Sequence, residues 1–313
     1  MNIGLKQIEK KTEDNFMSIT GLKIRKKLNR PLKYVLKKTT KAKIVLESYP
    51  DLEKNKPYIF ASTHYHSEDI ISNLAILDRN SYALIGTTDQ LEHNPQMYAA
   101  WLNGIVYVDR LNNESRKESL KKMKKLLENN TSVLIFPEGG WNNTENLLCQ
   151  KLFAGPYILS NELNVPVVPI SNFLEPVSNT IYINVGNPLD LSNKDKKESL
   201  ILLRDTISTM MFNQIKNYSV PIKRNELDDN LHYDFMEERK KEYLKVKWTK
   251  DVWDEELTVY KDKEITYSED VRKSFDNVKI TKDNANIFAP ILVRRLEDEN
   301  YNFKKFMKNN WNK

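Results

Sequence analysis

Between about residue 42 and residue 217 the chain alternates short apolar runs with stretches whose apolar positions recur every three or four residues. Tyr58 to Ser62 reads as a strand and Asp69 to Leu77 as the helix that follows it. Tyr82 to Gly86 and Ile105 to Val108 predict two further strands, with a helix over Asn94 to Leu102 between them. Ser115 to Leu127 predicts a strongly charged helix that gathers Leu120, Met123, Leu126 and Leu127 on one face. Ser132 to Phe136 is a continuous apolar strand and Pro156 to Leu163 a helix. Val167 to Ile170 and Thr180 to Val185 are strands, and Asp195 to Lys216 is a long closing helix. Near-continuous apolar strands alternating with helices define an α/β core: a mostly parallel sheet flanked by helices.

The two ends of the chain follow different patterns. Leu22, Ile24, Leu28, Leu32, Val35 and Leu36 recur at helical spacing among the eight basic residues from Lys23 to Lys38. Pro31 lacks an N–H and is expected to split this stretch into two short helices. A basic amphipathic pair of this kind fits an anionic membrane surface, with each Lys or Arg near the lipid contributing about 1 kcal/mol. Its ordinary alternative is a helix packed on its own domain with a solvated basic face. Beyond residue 218 the chain is charged and aromatic, with Tyr233, Phe235, Trp248, Trp253, Phe288 and Trp311 among its rings, which argues against disorder. Three regions are therefore expected: a basic membrane-surface segment over 1–41, an α/β domain over 42–217, and a mainly helical, aromatic-rich extension over 218–313.

Composition narrows the function classes. Of 313 residues, 40% are hydrophobic and 29% charged, a globular balance with a highly charged surface. The single cysteine excludes an internal disulfide framework, and the four histidines show no metal-ligand spacing. No run approaches the roughly 18 apolar residues of a membrane span, and the first residues lack the apolar centre of a signal peptide. The net charge of +6 is unevenly spread. Residues 1–43 hold 11 Lys and 2 Arg against Glu9, Glu13 and Asp14, so that this segment carries +10 and the rest of the chain −4. An anionic partner belongs at the N-terminal end. Few stacking aromatics and no recognisable module there exclude nucleic acid.

Four places combine polar chemistry with a strand end, where α/β sheets build their sites. The first is Phe60 to Asp69, in which a strand stops at His64 and a helix starts at Ser67-Glu68-Asp69. On one helix, His64 and Asp69 would point about 140° apart. Across a strand-to-helix turn they meet, as a general base and the carboxylate that orients it. The ordinary alternative is a surface histidine beside a helix capped by Ser67. The second place is Gly104 to Arg110, a short strand delivering an arginine at its exit. The third is Phe136-Pro137-Glu138-Gly139-Gly140-Trp141, a buried strand ending in a carboxylate and two glycines. The fourth is Val165-Pro166-Val167-Val168-Pro169, which carries no acid–base group.

In order and spacing these four blocks resemble those of the glycerolipid acyltransferases, typified by the bacterial 1-acylglycerol-3-phosphate acyltransferases. His64 to Asp69 matches the His-x4-Asp block, and Gly104 to Arg110 the block that commonly ends Val-Asp-Arg. Phe136 to Gly139 matches Phe-Pro-Glu-Gly, and Val165 to Pro169 matches Val-Pro-x-x-Pro. The resemblance implies a membrane-associated O-acyltransferase that moves a fatty acyl group from acyl carrier protein or coenzyme A to a lysophospholipid hydroxyl. It implies His64 and Asp69 as the catalytic pair, and Arg110, Glu138, Gly139, Gly104 and Lys151 as substrate-binding positions. The acyl thioester is then a substrate; neither a cofactor nor a metal is implied. The enzyme would sit peripherally on the cytoplasmic face of the membrane.

The chain departs from the pattern at one point. The family usually continues Glu-Gly with Thr-Arg or Thr-Lys, and here Gly140-Trp141 follows Gly139. That substitution leaves open a different acceptor, an amino-lipid or a glycan, and a non-catalytic lipid-binding member of the fold. His66, outside the His-x4-Asp pattern, is secondary. The absence of a Gly-x-Ser-x-Gly elbow argues against a serine hydrolase.

Overall fold

Seven strands form one sheet in the order β1-β7-β6-β2-β5-β3-β4. A computed structural model describes residues 17–64, 66–86, 100–110, 112–142, 148–175 and 178–218, together with Lys241. The strands are β1 (Lys43–Ser48), β2 (Ile59–Ser62), β3 (Ser81–Ile85), β4 (Ile105–Tyr107), β5 (Ser132–Ile135), β6 (Val167–Glu175) and β7 (Thr180–Val185). The helices are α1 (Ile19–Thr39), α2 (Asp69–Ile76), α3 (Asn113–Glu128), α4 (Gly155–Leu163) and α5 (Lys196–Tyr218). Every strand pairing is parallel except β6 with β7. The expected α/β architecture is therefore present. The helix expected over Asn94 to Leu102 falls mostly outside the described residues, with residues 100–103 helical. The readings for residues 219–313 lie outside them too, apart from Lys241.

The centre of the sheet follows from strands that are apolar on both faces. β2 and β5 are buried at every position. Alternation sends Phe60 to one side, with Ile71, Leu74 and Leu134, and Ile59 and Ala61 to the other, with Met123, Leu126 and Ile135. Each fully buried aliphatic or phenylalanine side chain contributes about 1.5–3 kcal/mol. β2, β5, β3 and β4 all run the same way, so their C-terminal ends share one edge. That edge carries the residues after Ser62, Ile135, Ile85 and Tyr107.

β1 is absent from the sequence reading. As an edge strand paired only with β7, it is exposed or half-buried at every position, so its side chains show neither a continuous apolar run nor a clean alternation. Its parallel partner lies more than 130 residues away in the chain, and nothing local announces it.

The N-terminal segment corrects an expectation. Pro31 does not split it: α1 is one helix of 21 residues with Pro31 inside. Ser18 caps its start by accepting the Gly21 N–H, and Lys37 and Lys38 sit in its last turn, where the helix dipole favours cations. Pro31 and Lys27 are both exposed, on the side where a carbonyl without its helical partner can turn to solvent. Contacts on the opposite side hold both halves: Leu22, Arg25 and Asn29 are buried before the proline and Leu36 after it. Among the described residues, no helix is long and apolar enough to cross a membrane.

α1 also packs a cation against the domain. Burial pushes the Lys33 ammonium down to about 8, and the Asp78 carboxylate partly opposes that shift. A lysine whose folded value lies below its unfolded one is harder to charge in the folded protein. Its charging penalty is complete below pH 8 and fades as pH rises toward 10.5. Lys33→Met removes the penalty. After discounting for solvent reach and the lost Asp78 attraction, we expect a gain of about 1 kcal/mol, or roughly 2–4 °C in Tm, at pH 6–7. The gain should shrink between pH 8 and 10.5 in paired melts of the two proteins.

Candidate active site

The chain leaves β2 at Ser62, and groups of β6 and α2 fix Ser62 and Thr63. The Thr63 N–H donates to the Ile170 carbonyl at 3.1 Å, and Thr63 Oγ1 accepts the Asn172 N–H at 2.9 Å. Ser62 Oγ accepts the side-chain amides of Asn73 (2.8 Å) and Asn172 (3.0 Å). All four side chains are buried. Such a network costs stability unless its bonds are made, and these bonds hold the exit of β2 against α2 and β6.

His64 follows. Its backbone N–H donates to Glu138 Oε1 at 3.1 Å, and its carbonyl accepts the Asn142 N–H at 2.6 Å. The imidazole lies 4.3 Å from the Phe136 ring, centroid to centroid, and edge-on to Trp141 at 6.1 Å. Its Nδ1 is 3.3 Å from Asp69 Oδ2. The turn that folds Asp69 back is closed by two bonds: Asp69 N–H to the His66 carbonyl, and His66 N–H to Asp69 Oδ2 at 2.8 Å. Five residues apart in sequence, the pair meets because the chain bends here instead of continuing as a helix. Asp69 is 1% exposed, and a buried carboxylate facing Nδ1 selects the tautomer with the proton on that nitrogen. The other ring nitrogen then carries a lone pair that can accept a proton. His66 is engaged in the same turn, its Nδ1 accepting the Glu68 N–H at 3.2 Å.

Glu138, at the exit of β5, is fully buried. Its Oε1 accepts the His64 N–H and its Oε2 the Gln150 N–H at 2.8 Å. The substrate-binding role implied for Glu138 does not fit this burial, because its side chain offers no exposed surface. Its position makes it a support for the backbone of His64. Gln150, absent from the sequence reading, completes the support: its side-chain amide donates to the Trp141 carbonyl at 3.2 Å. Nothing in the sequence singled out Gln150. Trp141 was marked only by its departure from the family pattern.

Gly139 and Arg110 do come together. Arg110, half-buried at the exit of β4, donates from Nη1 to the Gly139 carbonyl at 2.7 Å. Gly139 has φ +77°, and a Cβ there would lie 2.2 Å from Cε2 of Phe153. Both the left-handed backbone and the ring against it require glycine. Phe153 itself is 40% exposed at this surface, and its N–H donates to the Pro137 carbonyl. Lys151, two residues before it, is exposed.

Gly104 is a correction. It precedes β4, at the opposite end of that strand from Arg110, with φ +132°. A Cβ would lie 2.7 Å from the Tyr82 ring and 2.8 Å from Arg25 Nη1. Its glycine is required by packing at the far edge of the sheet, and it does not join the site.

Residues 43–172 match the family described as Acyltransferase. A stretch of 126 residues is 29% identical to the chloroplastic 1-acyl-sn-glycerol-3-phosphate acyltransferase of Brassica napus, covering 40% of this chain and 35% of that protein. The chain thus spans about a third of the length of that relative. Among solved structures, the 1-acyl-sn-glycerophosphate (LPA) acyltransferase PlsC of Thermotoga maritima is similar with a TM-score of 0.50. That alignment is 16% identical and covers 61% of this chain and 81% of that one. At this identity the likeness is one of fold.

Proposed function

Given that residues 43–172 belong to the acyltransferase family, in the glycerolipid acyltransferase superfamily, we propose that the chain transfers a fatty acyl group from a thioester to a lysophospholipid hydroxyl. The acceptor class is that of 1-acylglycerol-3-phosphate, and the thioester is carried by acyl carrier protein or coenzyme A. The observation that carries this reading is the His64–Asp69 pair, 3.3 Å apart at a strand exit that other buried groups hold in place. A hydroxyl is a poor nucleophile at neutral pH and needs a base within reach as it attacks. His64 takes the hydroxyl proton as the oxygen bonds to the thioester carbonyl carbon. Asp69 stabilises the imidazolium that forms. The tetrahedral intermediate then breaks its carbon–sulfur bond, and the departing thiolate takes the proton from His64. Arg110, oriented by the Gly139 carbonyl, binds the acceptor phosphate, with the exposed Lys151 as a second cation.

The basic helix gives this chemistry its location. Ile24, Leu28 and Val35 are 51%, 46% and 44% exposed. With Pro31 they fall at i, i+4, i+7 and i+11, one stripe of α1 beside the buried one. Lys23, Lys26, Lys27, Arg30, Lys37 and Lys38 are exposed along the rest of the helix. An aliphatic stripe bordered by cations fits the headgroup region of an anionic cytoplasmic leaflet. Leu22 and Leu36, read from the sequence as part of the same apolar face, are buried in the domain instead.

Trp141 favours a second reading. An indole packed edge-on to His64 stands where the family usually has a cation near the acceptor, which suits a less charged hydroxyl or amine acceptor. One screen separates the two. Purified protein is given labelled acyl thioesters of both carriers and a panel of lysophosphatidate, neutral lysolipid, amino-lipid and glycan acceptors. We expect a diacyl product with lysophosphatidate. Transfer only to the uncharged acceptors replaces that acceptor assignment, and transfer to none overturns the reading.

A further inference from the structure

We propose that Glu68 is a positioning residue that sets the height of the His64–Asp69 pair relative to the lipid surface on which α1 docks. The proposal rests on the acyl-transfer and docking reading above. Glu68 is buried at 5% exposure and immediately precedes Asp69. Its carboxylate reaches away from the site to the segment joining α1 to β1. Oε1 accepts the Lys41 N–H at 2.9 Å, and Oε2 accepts the N–H groups of Lys41 and Ala42 at 3.1 and 3.0 Å. A carboxylate holding backbone N–H groups makes bonds roughly twice as strong as neutral ones. From the other side, the Glu68 carbonyl accepts both the N–H and the hydroxyl of Ser72, at 2.9 and 2.8 Å. Glu68 is thus fixed at both ends, between the helix that carries the catalytic carboxylate and the end of the helix that carries the aliphatic stripe.

Two further side chains, Leu36 and Arg25, hold α1 against the domain. Leu36, in its last turns, shares one core cluster with Ile71 and Leu74 of α2. Arg25, in its first turns, donates from Nη2 to the Trp101 carbonyl at 2.9 Å and lies over the Tyr82 ring at 5.1 Å. The helix is held at both ends, and the tie nearest the catalytic pair is Glu68. An acceptor embedded in a bilayer presents its hydroxyl at a fixed depth, so the base must stand at a matching height. A misplacement of about 1 Å costs on the order of 10²-fold in rate. An acceptor free in solution meets no such constraint.

The test compares full-length protein and Glu68→Gln, whose amide group opposes one of the backbone donors. Turnover is measured on lysophosphatidate embedded in phosphatidylcholine–phosphatidylglycerol vesicles and on a short-chain, water-soluble lysophosphatidate below its micelle concentration. We expect Glu68→Gln to sediment with the vesicles as the unaltered protein does. The ratio of vesicle to soluble turnover should fall about tenfold. Lys41→Pro, which deletes one donor while leaving Glu68 intact, should lower the same ratio. Its preceding residue, Thr40, already has the extended conformation (φ −65°, ψ 129°) that a following proline requires. A merely structural Glu68 would lower both rates by one factor together with Tm, and that result overturns the proposal. Retention of the ratio in both variants overturns it as well. If the unaltered protein does not sediment with the vesicles, the docking reading fails first and takes the proposal with it.

Discussion

His64→Ala is expected to lower turnover by about 10³–10⁴-fold, the range seen when a base that also carries the proton to the leaving group is removed. The fold should survive the change. The side chain is 16% exposed and makes ring contacts with Phe136 and Trp141, whereas the backbone bonds that anchor the loop, to Glu138 and Asn142, do not involve the imidazole. Circular dichroism and a thermal melt close to those of the unaltered protein would show that the loss is chemical. Asp69→Asn should approach the same loss. Its amide has nearly the carboxylate's shape, but it can present N–H to Nδ1, which favours the wrong tautomer, and it cannot stabilise the imidazolium. The two changes act on one unit, so the double variant should be little slower than His64→Ala alone. A His64→Ala protein that keeps more than about a tenth of its turnover would sink the general-base mechanism, since general-base catalysis contributes at least about 10²-fold.

Much of this site was legible in the sequence because its groups sit at strand exits, and buried strands are the easiest elements to find. Tyr58 to Ser62 and Ser132 to Phe136 are continuous apolar runs, so the polar residues that end them, His64 and Glu138, stand out. The parallel sheet could be inferred from the same runs, since strands buried on both faces require helices on both sides. What could not be read was anything that depends on which strand lies beside which. β1 was missed because its partner, β7, is distant in the chain and its faces are half-exposed. Gly104 was assigned to the site because its block also contains Arg110, yet a strand separates its two ends and only one of them reaches the C-terminal edge. The proline in α1 misled for a different reason. A helix tolerates the loss of one bond where the orphaned carbonyl can turn to solvent and contacts on the opposite side hold both halves, and burial is a tertiary property.

Charge was the other blind spot. Glu138 was assigned to the substrate through the family resemblance, which carries no information on where this carboxylate is buried. In the fold its carboxylate bonds two backbone N–H groups, one of them that of the residue proposed as base. Glu68 shows the same pattern on the other side of that residue, with its carboxylate on Lys41 and Ala42. Two buried carboxylates therefore tie the loop to other segments, and sequence spacing contains no sign of either set of partners.

Glu138→Gln separates support from substrate contact. Glutamine has nearly the same volume, but its NH2 group must face either the His64 N–H or the Gln150 N–H, donor against donor. Losing one charge-assisted bond from a fully buried carboxylate costs about 1.5–3 kcal/mol. At roughly 2–4 °C per kcal/mol, Tm should fall by about 3–12 °C. The kinetic effect follows from which backbone moves. If the His64 N–H loses its acceptor, the imidazole shifts relative to Asp69, whose own position depends on the separate turn at His66. A shift of about 1 Å there costs on the order of 10²-fold. That loss should appear in kcat, with KM nearly unchanged, because a residue with no exposed surface contributes nothing to holding the acceptor. A residue that bound the acceptor equally well before and during the reaction would give the opposite split, a raised KM with kcat retained. Steady-state kinetics of Glu138→Gln over a range of acceptor concentrations, at a temperature well below its Tm, distinguishes the two directly. A raised KM at constant kcat would return Glu138 to the acceptor pocket and imply that the loop opens in the working enzyme.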